Sequence, residues 1–213
     1  MEQKYVYVVF SATPYKIGKM IRTLTHEPYN HVSIALDEEL DRMYAFARRY
    51  CRVPLYGGFV KETTSRYAPG GHPSTVKIHK LPVSQESYDA LAKRLEEMYE
   101  NREEYLYNHL SFLAVPLKKP IAVRDAYTCL EFCVEVLHDL GFPVNPGTYY
   151  SLGDLREQLA SYAVYEGEIH VDGTYDEEFF AKKSLPYPTH QSAKSILELV
   201  PRLKQLSSKS PLV

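Results

Sequence analysis

The chain has 213 residues, enough for one domain with a full core or at most two small ones. Its 45% hydrophobic and 24% charged residues are ordinary for a globular protein, and 25 basic against 27 acidic residues leave a net charge of −2. That balance gives no electrostatic footing for nucleic acid or an anionic membrane, and no stretch approaches the ~18 apolar residues that span a bilayer, so neither a nucleic-acid partner nor an integral membrane segment is expected.

From the N-terminus, Tyr5 to Phe10 is short, continuous, aromatic and β-branched, the pattern of a fully buried strand. The run is too short for a signal-peptide core, which predicts a cytoplasmic chain whose Cys51, Cys129 and Cys133 are reduced thiols rather than disulfide partners. Thr13-Pro14 reads as the cap and first position of a helix striped by Ile17, Met20, Ile21 and Leu24. His31 to Leu36 and Met43 to Arg48 read as strands joined by an acidic hairpin loop, Asp37 to Asp41. Gly57 to Val60 reads as a short strand or bulge. Past a Pro/Gly loop, Ala68 to Ser74, Thr75 to Lys80 is another strand.

Ser84 caps an amphipathic helix to about Arg102, with Tyr88, Leu91, Leu95, Met98 and Tyr99 at helical spacing. An aromatic stretch with several prolines, Tyr105 to Pro120, follows. Thr128 to Leu140 is a helix closed by Gly141, and Ser151 caps another to about Leu159. Tyr162 to Glu166 reads as a last strand, and Gln191 to Leu206 as a helix interrupted by Pro201. The pattern predicts an α+β fold: a single domain over 1–213 with an antiparallel sheet, helices packed on it, and a C-terminal extension from about 168 to 213. The 19 tyrosines, in a chain without Trp, suit half-buried positions or a cleft wall.

Thr128-Cys129-Leu130-Glu131 is the strongest local signal for chemistry. Thr128 and Glu131 have capping-box spacing, which sets Cys129 at the first position of a helix. There, free N–H groups and the positive end of the helix dipole favour a thiolate and can hold an oxyanion, whereas Glu131 opposes the charge. A cysteine at a helix start is also compatible with simple packing. Cys133, one turn on among Phe132, Val134 and Val136, reads as a core residue. A thiol nucleophile needs a base, and His31, sharing a strand face with Ser33 and Ala35, has open space beside it. His109 is the rival; His26, His72, His138 and His190 read as exposed. No HExxH, paired CxxC, P-loop or GxGxxG appears, so neither a metal nor a nucleotide cofactor is expected.

Two segments together resemble a known family. Tyr29-Asn30-His31-Val32-Ser33-Ile34-Ala35-Leu36, followed by Met43-Tyr44-Ala45-Phe46-Ala47-Arg48, is similar to the N-terminal half of the circularly permuted NlpC/P60 (YiiX-like) papain-fold proteins. Tyr127-Thr128-Cys129-Leu130-Glu131-Phe132 is similar to their nucleophile helix, close to Y-T-C-S-E-F. In that family His precedes Cys, as here. The resemblance covers about Val6 to Leu140 and implies a papain-like cleft between Cys129 and His31. It also implies amidase or peptidase cleavage of a peptide or small-molecule substrate, with lipid acyl transfer among more distant relatives. Members often orient the His from a polar residue on the next strand. Met43 to Arg48 carries no carboxylate or His, which leaves the third catalytic member unassigned and Glu62 as a substitute.

The expected function is therefore a cysteine hydrolase that cleaves an amide bond in a peptide or cell-wall-derived fragment, with Cys129 as nucleophile and His31 as general base. The alternatives are a catalytically silent ligand-binding module of the same fold, favoured by the missing orienting group, and a lipid acyltransferase or thioesterase.

Overall fold

A strand buried on both faces shows no polar alternation, and the run after Lys4 is such a strand. In the computed structural model, which describes residues 3–53, 55–169, 171, 175–184 and 186–207, Val6, Val8 and Phe10 face one hydrophobic cluster and Tyr7 and Val9 the other. The strands are β1 (Lys4–Ser11), β2 (His31–Ala35), β3 (Met43–Arg48), β4 (Gly57–Glu62), β5 (Ser74–Val83), β6 (Leu106–Tyr107), β7 (Ala126–Tyr127) and β8 (Ala163–Ile169). Six of them form an antiparallel sheet in the order β4-β3-β2-β1-β5-β8, while β6 and β7 pair in parallel as a separate ribbon.

The helices are α1 (Lys16–Thr25), α2 (Gln85–Glu100), α3 (His109–Leu113), α4 (Cys129–Asp139), α5 (Leu152–Gln158), α6 (Glu177–Phe180) and α7 (Tyr187–Ser207). The main core lies on one face of the sheet. Val32, Ile34, Tyr44, Phe46 and Phe59 pack there against Leu91, Leu95 and Met98 of α2 and Phe132, Cys133, Val136 and Leu137 of α4. Each such side chain contributes roughly 1.5–3 kcal/mol on burial, so α4 is fixed firmly across β2 and β3, the two strands that it contacts most. No helix among the described residues is long and apolar enough to cross a membrane.

The observed elements follow the expected order, with three differences. Helix α1 begins at Lys16, after an uncapped Tyr15, rather than at Thr13-Pro14. The Thr13 hydroxyl instead accepts a hydrogen bond from Asn30 Nδ2 at 2.7 Å, tying the loop to the residue before His31. The Tyr105–Pro120 stretch contributes β6 and α3, and β7 follows it at Ala126; such short elements form through tertiary contacts rather than intrinsic propensity. Of the extension from about 168, residues 170, 172–174, 185 and 208–213 lie outside the described residues. The rest holds α6 and α7, and α7 runs through Pro201 and packs Leu199 on Leu106, Val123 and Ala126.

Candidate active site

The capping box at the start of α4 is formed. Thr128 Oγ1 accepts from the Glu131 amide at 3.2 Å, and Glu131 Oε2 accepts from the Thr128 amide at 2.7 Å. Cys129 is the first residue of the helix, so its amide and that of Leu130 have no carbonyl one turn earlier to bond. Glu131 is spent on the cap and on Asn108 Nδ2, and burial raises its pKa. Cys133 is fully enclosed, and burial followed by the Cys129 charge pushes its thiol far up.

His31 is the first residue of β2 and is buried. Glu62, Ser33 and Tyr67 pack against one side of its ring, and the other side opens on a cavity. His31 Nε2 lies 3.0 and 3.2 Å from the two Glu62 carboxylate oxygens, and Glu62 Oε2 also accepts from Ser33 Oγ at 2.6 Å and Tyr67 Oη at 2.5 Å. The third polar member is therefore Glu62, which comes from β4 rather than from the adjacent β3. On this face β3 presents Met43, the register partner of Glu62, and then Ala45 and Ala47, whose methyl groups leave the longer Glu62 side chain a diagonal path to β2. With Nε2 committed to Glu62, Nδ1 is the ring nitrogen left for Cys129.

The electrostatics define a buried ion pair. Burial alone lowers the His31 pKa, but the Glu62 charge, then the charge and hydrogen bonding of the Cys129 sulfur, override it and raise the value to about 10. Burial alone raises that of Glu62, and the His31 charge and hydrogen bond, followed by Arg66 and Ser33, bring it down to about 2. Tyr67 stays a neutral donor because burial, then the Glu62 charge, raise its pKa well above the usual phenol value. At neutral pH His31 is thus an imidazolium held in place by a carboxylate.

Cys129, His31 and Glu62 line one cavity of about 130 Å³, together with Tyr107, Arg48, Arg66 and apolar residues of α1 and α6. Gly57 and Gly58 of β4 allow the Tyr105–Tyr107 segment to approach closely: a Cβ on Gly57 would meet Tyr107 Cβ, and one on Gly58 the Tyr105 carbonyl oxygen. That approach brings the Tyr107 hydroxyl beside Cys129. Burial, then the charges at Cys129 and Glu131, keep the phenol protonated, so it is a donor facing the sulfur.

His109 lines the same cavity, but its Nε2 donates to the Leu55 carbonyl at 3.0 Å, and burial lowers its pKa. It is a wall residue with its donor committed. His26, His72, His138 and His190 are exposed as expected. Cys51, Cys129 and Cys133 are free thiols. Among the described residues no group of three or more His, Cys, Asp or Glu is arranged to hold a metal ion. The roles of Ser33, Tyr67, Tyr107 and Arg48 carry no local sequence signal, whereas Glu62, the expected substitute for an orienting group, is the last residue of β4.

In comparisons with family models, curated proteins and solved structures, the chain matches none.

Proposed function

We propose that this chain is a papain-like cysteine hydrolase of the circularly permuted NlpC/P60 kind, cleaving an amide bond in a peptide or cell-wall-derived fragment. The observation that carries the reading is the succession Glu62, His31, Cys129 in one cavity, with the cysteine at a helix N-terminus. The order of His before Cys in the chain and the packing of α4 across β2 and β3 support the family.

The chemistry follows from the charges. Glu62 holds the proton on His31, so the imidazolium faces the sulfur before substrate arrives. The sulfur attacks the carbonyl carbon, and the resulting oxyanion is met by the first-turn amides of α4. His31 delivers its Nδ1 proton to the leaving amine as the C–N bond breaks, which leaves a thioester on Cys129 and a neutral imidazole. Water then attacks the thioester and gives a proton to His31, and the acid leaves as the thiolate reforms. A silent binding module drew its support from the lack of an orienting group, and Glu62 occupies that role.

Dipeptide and muropeptide amides and simple esters, screened against wild type, Cys129→Ala and Cys133→Ala, test the proposal. Turnover by wild type and Cys133→Ala, abolished in Cys129→Ala, is the expected result. Because Cys133 is core packing, its loss should cost roughly 1–2 kcal/mol of stability and no chemistry. Hydrolysis surviving in Cys129→Ala would remove the nucleophile assignment.

A further inference from the structure

Three arginines near the cavity differ in how their charge is met. Arg66 Nε donates to Asp176 Oδ2 at 2.6 Å, and Arg49 pairs with Glu103. Arg48, the last residue of β3, lines the cavity with its guanidinium 4.5 Å from the Tyr15 ring centroid and 5.9 Å from that of Phe179. Its Nη1 donates to the Cys51 carbonyl at 2.8 Å, and among the described residues no carboxylate pairs with it. A half-buried cation against aromatic walls has lost hydration and gained one neutral acceptor, a combination that is unfavourable unless an anion completes it. A guanidinium has five N–H donors in a planar fork that matches a carboxylate.

We propose that Arg48 is the specificity residue of this cavity and that the substrate carries a carboxylate beside the bond that Cys129 attacks. The inference rests on the hydrolase reading and adds the substrate's charge. Arg66 is neutralised by Asp176, so the wall offers one uncompensated positive charge, which suits a monoanion rather than a phosphate. Around it, Ile17 and Ile21 of α1, Leu55 and Phe179 form an apolar surface, so the carboxylate sits next to a hydrophobic group. The Arg48 charge also acts on the Tyr107 phenol, the same phenol that senses Cys129, so Arg48 lies within electrostatic reach of the reacting centre.

Two alkylating reagents of equal size test this on the full chain: iodoacetate, an anion, and iodoacetamide, its neutral counterpart. The ratio of their second-order rate constants at Cys129, read by peptide mapping so that Cys51 does not contribute, is measured in wild type, Arg48→Gln and Arg48→Lys. Loss of one charge-assisted contact should lower the iodoacetate preference about ten-fold in Arg48→Gln, and Arg48→Lys should restore much of it. A ratio equal in wild type and Arg48→Gln overturns the proposal. Because Arg48 also holds the Cys51 turn, a wild-type measurement stands beside the variants: 3-phenylpropionate should protect Cys129 from iodoacetamide at about ten-fold lower concentration than 3-phenylpropionamide. Equal protection by acid and amide overturns it as well. If Cys129 reacts with neither reagent, the hydrolase reading fails and this proposal falls with it; if iodoacetamide reacts but charge makes no difference, only the role of Arg48 falls.

Discussion

Glu62→Gln keeps the shape of the side chain and removes the charge that holds the proton on His31. The rise of the His31 pKa from 6.5 to about 10 corresponds to about 5 kcal/mol, a figure that includes the share of the Cys129 sulfur. The fall at Glu62 from 4.5 to about 2, about 3 kcal/mol, is closer to what the pair itself supplies. Without the carboxylate, burial prevails and His31 should titrate near or below its ordinary value of 6.5. Nuclear magnetic resonance of the imidazole ring reads that midpoint directly, and iodoacetamide kinetics at pH 7 report the consequence at Cys129, expected to be at least about ten-fold slower. Stability follows the same linkage. His31, whose pKa is raised on folding, contributes stability fully below 6.5 and loses it as pH rises through about 10. Glu62, whose pKa is lowered, contributes fully above 4.5 and loses it as pH falls through about 2. The deficit of Glu62→Gln in denaturant unfolding should therefore be largest between about pH 4.5 and 6.5 and shrink on either side. A His31 midpoint that stays above about 8 in the variant would refute the assignment of Glu62 as the group that charges the ring.

His79 of β5 carries the opposite sign. It is fully enclosed and packs edge-on to Phe10 at 5.2 Å, and neither ring nitrogen makes a well-aligned hydrogen bond, although the Val8 backbone is near enough to oppose the shift. Burial lowers its pKa to about 4, so its neutral form costs nothing above 6.5 and stability is lost as pH falls from 6.5 towards 4, by about 3 kcal/mol in full. His79→Leu should flatten that acid limb in unfolding curves; a limb of unchanged slope would place the acid sensitivity elsewhere. Gly58→Ala sets a methyl against the Tyr105 carbonyl oxygen and should cost about 1–3 kcal/mol while moving Tyr107 away from Cys129. Thermal unfolding together with the iodoacetamide rate measures both effects, and an unchanged melting temperature would show that the close approach of the 105–107 segment is not required.

Much of the fold was legible because its signals are local. Ser84, Thr128 and Ser151 each place a hydroxyl before a helix and accept from the amide three residues on, and in two of the three an acidic residue at that position reciprocates. The β1 run reads as buried because both of its faces are covered. Of the candidate site, the positions of Cys129 at a helix start and of His31 at a strand start were legible in the same way, and the two line one cavity. What escaped depends on contacts that no local pattern encodes. Thr13 serves the loop before His31 instead of capping α1, because Asn30 competes for its hydroxyl. Phe179 enters the cavity from the far end of the chain, held by the ion pair between the nearby Asp176 and Arg66 and by a hydrogen bond from the Cys51 amide to the Phe179 carbonyl.

The position of Glu62 follows from the same distinction. The strand next to His31, β3, carries Met43, Ala45 and Ala47 on the face toward the imidazole, and none of them is ionisable. Met43 is the register partner of Glu62, and the small Ala45 and Ala47 beyond it leave the carboxylate a path from β4 to the imidazole. A β-branched residue at position 45 or 47 would stand between β2 and β4 and wall the carboxylate off from the imidazole. Two alanines, which a pattern reading scores as featureless, instead provide the gap across which a buried charge reaches its partner. Ser33 and Tyr67 then fill the remaining lone pairs of Glu62 Oε2, so the carboxylate is desolvated without being left unsatisfied. An apolar gap, a charge reaching through it and two neutral donors behind it form one device, and removing any part exposes the cost of the others.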